Sequence, residues 1–256
     1  MNSELADSKR REREQRLART RNKGRFRLAV VAIALVGLVG GVVWVYQSSV
    51  FEVTSVKVSG AARLSGQEVE RIADVPSGAT LLKLPVQAIE RRVKSNPWVV
   101  DAKVTRQFPH TVVIRVQERR PFAAVVVGRL AYLVDTSGVV LAAQPVTMTP
   151  LPLFVEVPLS STPLPSQRLT GREVENALAV LKALPASLRG QVDRVYAKTV
   201  DDLRLVTKSG LEIVFGRAEQ LDKKRFVIEN LIKQSPKKII YIDVKAPDAP
   251  TAKYAP

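Results

Sequence analysis

Few side chains in this 256-residue chain are suited to acid, base or nucleophilic chemistry: it contains one histidine, His110, and no cysteine. A Ser-His-Asp triad would have to use His110 as its base. That residue stands beside Pro109 between two alternating apolar runs, where a turn histidine acts as an exposed spacer. Without cysteine there is no disulfide framework, thiolate zinc site, iron–sulfur cluster or cysteine nucleophile, and one imidazole cannot build a multi-histidine metal site. Asp201-Asp202 are adjacent acids ahead of a strand, a solvated arrangement rather than a pair flanking a substrate. No GxxxxGK[ST] or GxGxxG follows a strand, so a phosphate cradle is missing. Ser-Lys chemistry leaves no obligatory spacing, and nothing positive points to it. The expectation is therefore no catalytic, cofactor-binding or metal-binding residues.

The elements that carry these residues begin with a long apolar run. Leu28 to Tyr46 reads LAVVAIALVGLVGGVVWVY without a charge. As a helix it would be roughly 28 Å long, close to the hydrocarbon thickness of a bilayer, with Trp44 and Tyr46 at the interface. A cleaved signal peptide would have a shorter core and a small-x-small site, whereas this run continues into Gln47-Ser48-Ser49-Val50-Phe51. Residues 1–27 carry ten Lys/Arg against four acids, and positive flanks stay in the cytoplasm. The expected layout is a basic cytoplasmic tail over 1–27, a single transmembrane helix over 28–48 and an extracytoplasmic remainder.

The formal net charge of +16 invites a nucleic-acid reading. Most of that charge falls beyond the apolar run, and no RNP-like aromatic motif, zinc knuckle or helix-turn-helix accompanies it. The arginine-rich tail is a topology signal that also attracts anionic lipid, at about 1 kcal/mol per residue near the surface. Gly37 and Gly41 form one GxxxG, which alone is weak evidence for helix packing.

Past Phe51 the pattern becomes that of a folded domain. A strand carries Thr54, Val56 and Val58; Ser65 with Glu68 forms a capping box ahead of a helix bearing Val69, Ile72 and Ala73. A second helix starts at Pro85, shows Val86, Ile89 and Val93, and stops at Asn96-Pro97. Val100/Ala102/Val104 and Val112/Ile114/Val116 then read as a hairpin turning at 107–110. The order over 51–119 is β-α-α-β-β. Strands follow at 123–127, 130–134, 139–141 and 153–157. Thr170 and Glu173 form a capping box for a helix with Val174, Ala177, Leu178 and Leu181. A hairpin turns at Lys208-Ser209-Gly210, a helix spans 218–234, and Ile240, Ile242 and Val244 mark the last strong strand. Composition alone reads 246–256 as a frayed tail.

Several segments, in collinear order, make the chain resemble the bacterial FtsQ/DivIB cell-division family. They are Phe51-Glu52-Val53 with Val56-Lys57-Val58-Ser59-Gly60, Asn96-Pro97-Trp98-Val99, Arg106-Gln107-Phe108-Pro109, Glu118-Arg119-Arg120-Pro121-Phe122-Ala123, Leu133-Val134-Asp135-Thr136-Ser137-Gly138, Leu151-Pro152-Leu153, and Phe215-Gly216-Arg217 before Lys224-Arg225-Phe226. Each also has a structural reading; Trp98, after a proline-stopped helix, is placed to close the helix–sheet core.

The resemblance implies an α+β protein: one N-terminal transmembrane helix, a POTRA domain over 49–121, and a C-terminal mixed β domain with packed helices over 122–256. It implies a noncatalytic divisome scaffold at the septum of the cell membrane, without cofactors, that binds FtsB/DivIC-like and FtsL-like proteins and helps control septal cell-wall synthesis. The POTRA domain would contact other division proteins. In the family, FtsB adds a strand to the edge formed by the last β strand. Tyr241-Ile242-Asp243-Val244-Lys245 resembles the family's penultimate stretch, and matching onward assigns partner binding to Lys245, Ala246, Asp248, Ala249 and Tyr254. Pro247 and Pro250 depart from the pattern by removing amide donors, which would shift or shorten the pairing. The competing functions are a POTRA-bearing transport or chaperone component of the envelope and an anchored envelope enzyme.

Overall fold

The computed structural model describes residues 30–45, 49–76, 78–235 and 237–255. The basic tail and both ends of the expected membrane helix lie outside the described residues. Within the apolar run, residues 30–45 form helix α1, every one of them exposed. Among the described residues no helix is long and apolar enough to cross a membrane.

The chain divides into two compact units. One holds the chain up to Lys57 with Val75–Pro85 and Thr105–Val113; the other holds Val58–Asp74, Val86–Val104 and Ile114–Pro256. In the first, a short 3-10 turn over Ser49–Phe51 leads to a bridge between Glu52 and Thr80. The Val53 amide donates to Ala79 O at 3.0 Å. His110 is half-buried here rather than an exposed spacer. Its carbonyl accepts from the Thr54 and Ser55 amides at 3.0 and 3.4 Å, and its Nδ1 lies 3.2 Å from Glu52 O. The imidazole is used to fasten backbone, which a spacing argument has no way to register.

Strands β1 (Ser55–Ser59), β2 (Val99–Gln107) and β3 (Thr111–Glu118) form a sheet in the order β1-β3-β2. Gly60, at φ 83, ends β1 so close to the backbone that a Cβ there would sit 2.2 Å from Val116 O, so only glycine fits. Helices α2 (Gly66–Ala73) and α3 (Val86–Lys94) intervene. Ser65 caps α2 as its sequence predicts, accepting from the Glu68 amide at 3.1 Å. The helices bury Val69, Ala73, Ile89 and Val93.

Two expectations for this stretch are corrected. Val100 is exposed and Val99 is buried instead: the Val99 amide closes a turn onto Asn96 O at 3.0 Å, so alternation starts only at Ala102. Trp98 does not close the helix–sheet core. It packs on the cluster of Ala124, Ala131, Leu133, Leu141 and Leu153, with the Arg63 guanidinium 3.8 Å over its ring.

The remaining strands form one nine-stranded sheet, ordered β12-β11-β10-β9-β8-β7-β4-β5-β6. β4 (Ala123–Val127), β5 (Leu130–Val134) and β6 (Val140–Pro145) are an antiparallel meander, and β7 (Leu153–Val155) docks parallel to β4. β4 is apolar throughout because both its faces are covered. Ala123 and Val125 join the main core, while Ala124 joins the cluster under Trp98. Helix α4 (Arg172–Ala183) and the single turn α5 (Ala186–Arg189) cross from β7 to β8 (Val192–Ala197), the kind of crossover that parallel neighbours need. α4 begins one residue later than Thr170 would dictate: its N-cap is Gly171, with no side-chain hydrogen bond, so the predicted capping box does not form.

β8 has no counterpart in the sequence reading. Its buried residues are Val192, Val195 and Ala197, and a register shift between Val192 and Arg194 breaks the period of two. The largest fully buried side chains are those of Phe154 and Phe215, each contributing about 1.5–3 kcal/mol.

Candidate partner-binding edge

The sheet edge that holds the five predicted residues is built from four strands and one helix. β9 (Leu203–Thr207) pairs with β10 (Glu212–Val214), and β10 lies parallel to β11 (Ile239–Asp243) with Ile213 opposite Ile242. Helix α6 (Leu221–Gln234) makes the crossover between them. β12 (Thr251–Tyr254) then runs antiparallel to β11, placing Thr251 opposite Asp243, Ala252 opposite Ile242, Lys253 opposite Tyr241 and Tyr254 opposite Ile239. The register shifts between Ile239 and Tyr241. Ile240 is therefore turned outward while Ile239 is buried, the reverse of the predicted alternation.

β12 ends the strand order, so one side of its backbone has no neighbouring strand in the sheet. Residues 251–254 are thus an edge strand and not a frayed tail. Pro247 and Pro250 both precede β12, so neither removes a donor from it; Pro247 is buried in the turn.

Four of the five predicted residues share that turn. Lys245, Ala246, Asp248 and Ala249 are all exposed. The Lys245 amide donates to Asp243 Oδ1 at 2.9 Å and the Ala249 amide to Ala246 O at 3.1 Å. Tyr254 stands apart at the far end of β12, about 10 Å along at strand rise, and is 47% exposed. The five line one edge without converging on a pocket. Lys223, Tyr241 and Lys253 also belong to this surface, and none of them carries a binding role in the sequence reading. Lys223 pairs with Asp248, and the Lys253 ammonium lies 5.1 Å over the Tyr241 ring. Burial first, and the Asp243 carboxylate second, push the Tyr241 hydroxyl pKa up.

The turn rests on the loop between β10 and α6. A Cβ added to Gly216, at φ +67, would come within 3.0 Å of Lys245 Cγ. Two buried polar groups hold that loop. Asn176 donates to Gly216 O at 3.1 Å and accepts from the Ala218 amide at 2.6 Å. Lys224, 3% exposed, donates to Phe215 O and Arg217 O, each at 2.9 Å. Desolvation lowers its pKa. Arg217 in turn pairs with Asp201. Among the described residues no group of three His, Cys, Asp or Glu is placed to hold a metal ion.

Comparison with known proteins accounts for this arrangement. Residues 51–119 match the model of the FtsQ-type POTRA domain, and residues 123–245 match the C-terminal domain of cell division protein FtsQ/DivIB. A cell division protein FtsQ from Streptomyces bingchenggensis is 34% identical over 230 residues, covering 88% of this chain and 84% of that protein. The chain belongs to the FtsQ/DivIB family of cell division proteins. FtsQ proteins from Streptomyces venezuelae, 32% identical over 88% of this chain and 83% of theirs, and Mycolicibacterium smegmatis, 30% identical over 88% and 62%, agree. Its FtsQ-type architecture is a POTRA module followed by the mixed β domain with packed helices. The C-terminal match stops at Lys245, so Ala246, Asp248, Ala249 and Tyr254 fall beyond it.

Proposed function

We propose that this FtsQ/DivIB-family protein is a noncatalytic scaffold of the divisome, anchored in the cell membrane at the septum by the run 28–48, with 1–27 cytoplasmic and residues from about 49 extracytoplasmic. The domain limits are 49–121 for the POTRA module and 122–256 for the β domain. Support for the anchor comes from the uncharged run and from α1, whose large apolar side chains, Ile33 at 72% and Val36 at 73% among them, are exposed along its length.

FtsB/DivIC-like and FtsL-like proteins are the proposed partners, and other division proteins would dock through the POTRA module. The observation that carries the partner reading is the open side of β12. A partner segment pairs there as a further strand, its backbone satisfying the edge and its side chains reading Lys245, Ala246, Asp248, Ala249 and Tyr254. By this account the scaffold positions septal cell-wall synthesis instead of performing chemistry itself.

The test is co-purification of the detergent-solubilised full chain with envelope proteins, beside a Tyr254→Ala, Lys245→Glu double variant. Retention of an FtsB-like protein by the unaltered chain and at least tenfold loss with the variant is expected. Equal retention by both moves the site off this edge, and capture of outer-membrane transport proteins in place of division proteins rejects the scaffold reading.

A further inference from the structure

We propose that the tip of the β2–β3 hairpin is a membrane-interface anchor whose Phe108 ring inserts among the headgroups of an anionic bilayer. This rests on the reading of 28–48 as a membrane helix. Phe108 is 54% exposed at the tip, and its flanking residues Gln107 and Pro109 are exposed as well. The ring meets Phe51 edge to face with centroids 5.6 Å apart, and Val50 beside it is 53% exposed. Phe51 and Phe108, from two distant parts of the sequence, are thus in ring contact, with exposed Val50 and Pro109 as their chain neighbours. A single exposed phenylalanine would need no explanation; this cluster is held in place. His110 fastens the tip to the entering chain through its carbonyl, which accepts from Thr54 and Ser55, and through Nδ1 at Glu52 O.

The length of the tether supplies the ligand. Phe51 lies six residues past residue 45, the last described residue of α1, a stretch that spans at most about 20 Å fully extended. Phe51 is confined to that distance from residue 45, with the Phe108 ring centroid 5.6 Å from its own. The headgroup layer is itself about 5–8 Å deep on each side, and apolar groups bury about 5–10 Å into its boundary. Charge agrees with an anionic surface. The folded segments of this unit, 49–57, 75–85 and 105–113, contain Lys57, Lys83 and Arg106 against a single acid, Glu52. With a second attachment near the helix, the tilt of the module against the bilayer is fixed.

The chain's lack of cysteine makes a direct test available. Gln107→Cys and, separately, Leu35→Cys in the full chain are labelled with an environment-sensitive fluorophore. Both are reconstituted in vesicles of phosphatidylcholine with 30% (~ one lipid in three) phosphatidylglycerol, containing lipids spin-labelled at shallow or deep positions. The expected result is quenching at 107 by the shallow quencher at least twofold above the deep one, falling at least twofold when Phe108→Ser is added. A label at 107 that stays unquenched overturns the proposal, as does quenching indifferent to Phe108→Ser. The label at 35 separates the two readings: if it is quenched by the deep probe while 107 is not, the membrane helix stands and the tip contact falls, and if neither is quenched both fall.

Discussion

Arg119 donates through Nη1 to Asp135 Oδ2 at 2.6 Å, and the other Asp135 oxygen accepts from the Ser137 amide, the Ser137 hydroxyl and the Val139 amide at 2.7 to 3.0 Å. Asp135 is 6% exposed. One carboxylate thus closes the turn between β5 and β6 and ties it to the end of β3. Removing it strands a cation and three donors, so Asp135→Ala should cost about 3 kcal/mol, and Arg119→Met about 2 kcal/mol. Urea unfolding of the detergent-solubilised chain measures both. Midpoints equal to the parent's would mean the pair is merely present and not stabilising.

The same carboxylate makes stability depend on acid. Burial alone would raise its pKa and is the largest single influence. The hydrogen bonds from Ser137, Val139 and Arg119 together outweigh it and hold the group below its ordinary 3.8. A depressed carboxylate pKa in the folded state means that the unfolded chain binds the proton more readily. The contribution is therefore fully present above the unfolded value and is lost as pH falls through the folded one. Urea midpoints of the parent and of Asp135→Asn should converge as pH drops from 6 toward 2; a gap that stays constant contradicts the assignment.

Lys224 is a buried cation whose ammonium serves two carbonyls. Lys224→Met keeps most of the volume but leaves Phe215 O and Arg217 O unpaired, an expected loss of about 2–3 kcal/mol. The neighbouring exposed Lys223→Met removes only a surface pair, about 0–1 kcal/mol. Comparable midpoints for the two variants would show that water reaches the carbonyls.

Gly216→Ala tests whether the β10–α6 loop positions the proposed partner edge. The substitution meets a positive φ and the Lys245 stem together. It should lower stability by about 1–2 kcal/mol and move Lys245. If the edge recognises a division protein, partner affinity should fall although Gly216 touches no partner. Binding that is unaffected once folding is verified would uncouple the loop from the edge.

Most of the architecture was legible because apolar period is a local signal. Val112, Ile114 and Val116 alternate and are buried; Val69, Ala73, Ile89 and Val93 recur at helical spacing and are buried. What failed to read was whatever interrupts a period. The bulge at Val192/Arg194 hid β8 entirely, and the one at Ile239/Tyr241 reversed which isoleucine points inward. Polar fixation was also silent: nothing in the spacing of Asn176 and Gly216, or of Arg119 and Asp135, announces a contact. For the candidate edge, the neighbourhood of Lys245 and a C-terminal strand beyond it were legible by resemblance alone; pattern could not find β12, because four residues containing Lys253 and little apolar burial carry too weak a signal.

The position of β7 has a kinetic consequence. β9 and β10 meet across a hairpin, with Val206 opposite Glu212, but β7 must find β8 by matching Leu153 with Arg194. Closing that span of about 40 residues instead of about 6 costs roughly 1.7 kcal/mol more in chain entropy. Nothing is returned until Phe154, fully buried, reaches the core. This three-residue strand joins the β4–β6 meander to the β8–β12 half, so its docking sets the rate at which the two halves become one sheet. A substitution such as Phe154→Ala should slow folding more than it speeds unfolding.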